Sequence, residues 1–232
     1  MVFSGHRDCG SEIWRVPKWL KMIIAVLLLP LCMGAGKALW QVLLTCSRAD
    51  TFWLPVLCGA ACWLSVFFFL PKPMLAYVFG HELTHALWTW LCGGKVKKLK
   101  ASSKGGHVVV TKNNFLIALA PYFFPIYLLL TIAVYAAGSQ IWDWRKAAAL
   151  FYLLVGASYA FHITFTWHVM ETDQTDISQQ GYLFSAVVVF LGNVLVLLLG
   201  LPLLTGRPGI LTALGWWMDA TGQVLRWMGR VL

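Results

Sequence analysis

His81, Glu82 and His85 form an H-E-x-x-H pentad, His81-Glu82-Leu83-Thr84-His85. On an α-helix, two histidines four residues apart share one face and can bind the same metal ion. The carboxylate between them is placed to take a proton from water activated beside that ion. The pentad lies in an apolar stretch long enough to cross a bilayer, where ionisable groups need partners, water or metal. Two histidines do not complete a catalytic zinc site, which normally has three protein ligands and an open position. Between Thr51 and Thr205 the chain has five acidic residues: Glu82, Asp143, Glu171, Asp173 and Asp176. If the apolar spans alternate across the membrane, Asp143 falls on the face away from the C-terminal end of the pentad helix. The 171–176 cluster falls on the same side as that end. Asp176 is the best candidate, in the first turn of a following helix, where capping is the alternative role. Asp173 is the reserve.

The elements that must position these groups are membrane helices. Of 232 residues, 59% are hydrophobic and 12% charged, against roughly 25% charged in a soluble domain. Mean hydropathy is +0.72. Six spans are expected, near 22–44, 52–70, 74–91, 115–137, 147–169 and 182–204. Pro71-Lys72-Pro73 precedes the pentad span and Gly93-Gly94 ends it. The fold class is an all-α polytopic membrane protein. The first apolar run reads as a signal anchor rather than a cleavable leader.

Between the third and fourth spans, six lysines (Lys95, Lys97, Lys98, Lys100, Lys104 and Lys112) surround a Gly105-Gly106 turn signal and a β-branched run. That pattern predicts a β-hairpin beside the pentad helix. After Pro208, apolar residues at helical spacing face Asp219, Gln223, Arg226 and Arg230. This predicts an amphipathic helix, either interfacial or packed on neighbouring spans. The net charge of +9 is spread over loops, which suits lipid headgroups. Nucleic-acid binding would need a basic soluble face, and none is visible. Cys58 and Cys62 share a helix face but read as packing residues. His162 and His168 on the fifth span are candidates to orient a ligand, and His107 is expected near water.

The motif Gly80-His81-Glu82-Leu83-Thr84-His85-Ala86 resembles the site-2 protease class of intramembrane metalloproteases, the M50 peptidase superfamily. The glycine-containing β-like loop and the later Asp at the start of another span belong to the same pattern. Gln174-Thr175-Asp176-Ile177-Ser178-Gln179-Gln180-Gly181, running into Phe184-Ser185 and Asn193, looks like a compact M50B-like bacterial branch. It differs from the better-known pattern, where Gly follows the ligand Asp directly after an Asn-Pro segment. The resemblance implies Zn²⁺ held by His81, His85 and Asp176, with Glu82 as the catalytic base of a zinc metalloendopeptidase. The expected partners are the lipid bilayer and a membrane-protein substrate with a transmembrane helix; the expected location is multi-pass, in a bacterial inner membrane. Residues 1–72 would be accessory, 73–205 the catalytic membrane core and 206–232 an interfacial helix. The alternatives are a catalytically silent scaffold and a metal-binding protein, including a transporter; a transporter would be expected to offer further ligand sets along a path.

Overall fold

A computed structural model of the chain describes residues 7–8, 16–47 and 49–231. Contacts divide the chain into two units, Met1–Ile13 with Asp50–Gln179, and Trp14–Ala49 with Gln180–Leu232. Among the described residues four helices are long and apolar enough to cross a membrane: α1 (Lys18–Cys46), α2 (Asp50–Phe69), α6 (Ala148–Met170) and α8 (Tyr182–Thr205).

Two of the six expected spans differ. The pentad helix α3 (Met74–Leu91) has 18 residues, but His81, Glu82 and His85 bring it below the apolarity of the other four. The span expected at 115–137 is broken. A short helix α4 (Phe115–Leu119) passes through a 3₁₀ turn (Ala120–Tyr122) and bends by 78° into α5 (Ile126–Ile141). Pro121 and Pro125 cause the break, because each lacks an N–H and crowds the preceding turn. Counting the bent pair as one span gives up to five.

In the first unit, α2 and α6 lie backbone to backbone. A Cβ on Gly59 would fall 1.9 Å from the Leu153 carbonyl oxygen, and one on Gly156 would fall 1.9 Å from that of Val56. Small residues permit such approach between apolar helices, where van der Waals packing drives association. Trp63 on α2 donates to Thr164 Oγ1 on α6 at 2.9 Å. Phe165 on α6 stacks on Tyr77 of α3, with ring centroids 4.9 Å apart. Tyr77, Val78, Phe165 and Val169 form one buried cluster.

The pentad helix ends as the glycines predict, with Gly93 at φ +72° and the Gly94 N–H bonded to the Thr89 carbonyl. The hairpin follows as strands β2 (Val96–Ser102) and β3 (Gly105–Val110), with β1 (Arg7–Asp8) parallel on the other edge of β3. The turn is at 103–104, one step before the glycine pair, which opens β3. Val108 and Val110 pack on Ala86 of α3, so the hairpin folds back along the pentad helix. After α6, the short helix α7 (Thr175–Gln180) carries Asp176.

The second unit contains α1, α8 and α9 (Ile210–Val231), the amphipathic helix expected from the sequence. Trp217 Nε1 donates to the Leu31 carbonyl at 3.0 Å and Lys37 Nζ to Gln223 Oε1 at 2.6 Å. Helix α9 therefore packs on α1.

Candidate metal centre

The i, i+4 spacing of α3 brings His81 Nε2 and His85 Nε2 within 3.2 Å of each other. Asp176 arrives from α7, with Oδ2 at 3.7 Å from His81 Nε2 and 3.4 Å from His85 Nε2. All three residues are buried. Ligand atoms roughly 2.0–2.2 Å from a tetrahedral zinc stand about 3.3–3.6 Å apart. The three observed separations bracket that range, so the donor set fits a zinc ion. Burial alone would raise the Asp176 carboxyl. The two imidazoles against it instead hold it well below the usual carboxylate range.

Neighbouring groups fix how the two imidazoles and the carboxylate point. His85 Nδ1 lies 2.8 Å from the Ile117 carbonyl oxygen and donates to it as the neutral tautomer with its free lone pair on Nε2. Ile117 is itself held by Asn114, whose side chain caps α4 by accepting from the Ile117 N–H at 2.8 Å. His81 Nδ1 lies 3.3 Å from the Tyr77 hydroxyl. Tyr122, fully buried at the helix break, donates to Gln174 Oε1 at 3.4 Å and also reaches the Asp176 carboxylate. Gln174 Nε2 bonds Thr172 Oγ1 at 2.6 Å and the Val169 carbonyl at 3.2 Å. The loop that delivers Asp176 is thus pinned from both sides.

Glu82 is 1% exposed, and its Oε2 has no hydrogen-bond partner among the described residues. A buried carboxylate oxygen left this way costs free energy unless something meets it, and a water held beside a metal ion is the natural partner. Gly106 on β3 closes over the same side chain. A Cβ there would lie 2.7 Å from Glu82 Cγ.

The remaining sequence candidates fall elsewhere. Asp173 is exposed and outside the three-residue group. His162 lines a cavity beside His81 that Thr84, Phe124, Tyr127 and Phe161 also line. His168 Nδ1 lies 3.8 Å from Glu171 Oε2, and His107 sits opposite Lys100 in the hairpin. Cys58 and Cys62 are exposed, and neither joins a metal-binding group among the described residues. Tyr77 and Tyr122 are not among the residues the motifs single out, and the motifs assign Gln174 no role of its own. Tyr77 carried a legible signal, being four residues before His81 on the same helix face. Tyr122 carried none, because only the fold brings it to the site, whereas Gln174 stands two residues before Asp176 in the M50B-like stretch.

The family model for M50B-like peptidases matches residues 53–228. The chain belongs to the M50B-like peptidase family. That match covers α3, the hairpin and α7, and with the long apolar helices it makes this family member an integral membrane protein of the site-2 protease-like superfamily. No curated protein and no solved structure gives a match.

Proposed function

We propose that this M50B-like chain is an intramembrane zinc metalloprotease that hydrolyses peptide bonds in or near transmembrane segments of membrane proteins. The observation that carries this reading is the buried His81, His85 and Asp176 triangle beside a buried Glu82 oxygen with no partner among the described residues. His81, His85 and Asp176 would hold Zn²⁺. When bound, the ion would lower the pKa of water toward ~7 and polarise the scissile carbonyl.

The chain's own residues do the rest. Glu82 accepts the proton from water and returns it to the leaving amine, the general-base and general-acid roles of one carboxylate. The Ile117 carbonyl and the Tyr77 hydroxyl hold the two imidazoles with Nε2 toward the centre. A helical substrate has its carbonyls closed in its own hydrogen bonds and must unwind before one can reach the site. The outer edge of β2 is unpaired among the described residues. It offers an unwound segment a strand to pair with.

The decisive experiment compares wild type with Glu82→Gln, reconstituted with a transmembrane substrate. Cleavage should fall by about 10²–10⁴-fold, the usual contribution of a positioned base, with zinc content unchanged. Biological function that survives Glu82→Gln intact would establish the silent scaffold instead.

A further inference from the structure

We propose that the outward face of the hairpin, carrying Lys97, Lys98 and Lys100, is a docking surface for an acidic, extended segment next to the apolar stretch of the substrate. Naming the ligand a substrate rests on the proteolytic reading; the surface itself does not. Strand β2 is two-sided. Leu99 packs with Val108, Val110 and Ala86, and Ala101 packs against the Tyr77–Val78 cluster. The lysines face the other way and are exposed, with a bulge between Val96 and Lys98 leaving both Lys97 and Lys98 outside. No ion pair to any of the three exists among the described residues.

Three features make this face continuous with the site. The outer β2 edge is open among the described residues. A groove of about 590 Å³ lined by Leu75, Ala76, Phe79, Leu99, Ala101 and Tyr127 runs beside that edge. Ala101 pairs with Gly106, whose Cα side faces Glu82. An extended chain on the edge has alternate side chains facing opposite ways. Apolar residues would enter the groove while acidic ones meet Lys98 and Lys100.

The position favours a peptide over a membrane surface. The hairpin folds back along α3, so Gly106 reaches Val78 and Glu82, and Lys100, paired with His107, lies beside the middle of the helix. An 18-residue helix is about 27 Å long, and lipid headgroups would meet its ends. Lys95 and Lys112, near Gly93-Gly94, hold that end position.

The test uses full-length protein in nanodiscs of phosphatidylcholine alone or with added phosphatidylglycerol. The probes are fluorescent peptides with one apolar span flanked by three Asp, three Ser or three Lys. Glu82→Gln protein serves for binding, so cleavage does not enter the readout. The Asp-flanked peptide should bind about two- to thirty-fold tighter than the Ser-flanked one, the range two exposed ion pairs supply, and added salt should erode the difference. Lys98→Glu/Lys100→Glu should reverse the preference toward the Lys-flanked peptide, and Lys98→Gln/Lys100→Gln should abolish it. Equal binding of all three peptides by the unsubstituted face overturns the proposal. So does a preference that appears only with phosphatidylglycerol, which would make the face a membrane contact. Discrimination by a protein whose Glu82-intact form cuts none of the peptides would overturn the protease reading and leave the surface standing.

Discussion

Gly106→Ala is the sharpest probe of how the hairpin serves the site. A Cβ at this position would lie 2.7 Å from Glu82 Cγ, 2.8 Å from the Lys100 carbonyl oxygen and 2.8 Å from Val78 Cγ1. Ordinary carbon–carbon contact is about 3.5–4.0 Å, so relief requires a shift of roughly 1 Å. The Lys100 oxygen belongs to the paired strand and Val78 is fully buried in α3. Glu82 has the most side-chain torsions in this set, so part of the shift falls on its carboxylate. A displacement of about 1 Å at a reacting group costs on the order of 10²-fold in rate, while overpacking costs about 1–3 kcal/mol of stability. Cleavage of a reconstituted substrate should therefore fall about 10²-fold in Gly106→Ala. Zinc content should stay at the wild-type level, because none of the three nearest atoms belongs to His81, His85 or Asp176. Cleavage within twofold of wild type in a folded, zinc-loaded Gly106→Ala protein would refute the claim that the hairpin sets the position of Glu82.

Asp176→Ala should lose bound zinc and cleavage together, whereas Asp173→Ala should keep both; metal analysis of the purified proteins decides it, and full zinc in Asp176→Ala would remove Asp176 from the ligand set. Tyr77→Phe keeps the ring stacked on Phe165 but loses the hydroxyl at His81, so chelator competition should show zinc affinity about 10–100-fold weaker. Unchanged affinity would make Tyr77 a packing residue alone. Gly156→Val would push a side chain into the Val56 carbonyl, and thermal denaturation in detergent should show a loss of about 1–3 kcal/mol or more. An unchanged melting curve would mean that the α2–α6 approach is not required.

Much of the fold was legible because its signals are local. Apolar length marked α1, α2, α6 and α8, and Pro71, Pro73 and Gly93 bounded α3. The Val108–Val110 run marked β3. The fourth span looks continuous in the sequence, since the residues around Pro121 and Pro125 remain apolar and hydropathy does not register a bend. The turn falls just before Gly105-Gly106 rather than at them, because glycine is also what a strand needs where it presses on a side chain, as Gly106 does on Glu82.

The sequence by itself determined the two histidines and the glutamate, since a helix of 3.6 residues per turn puts positions 81 and 85 on one face whatever surrounds it. Counting six alternating spans pointed to the 171–176 cluster for a third ligand, although two of those spans differ in the structure. Tertiary structure decided that Asp176, and not Asp173, comes within 3.4 Å of His85. It also brought Ile117, Tyr122 and Gly106 to the centre. Those contacts join residues dozens of positions apart, and their distances depend on how helices and hairpin pack, which no local periodicity encodes.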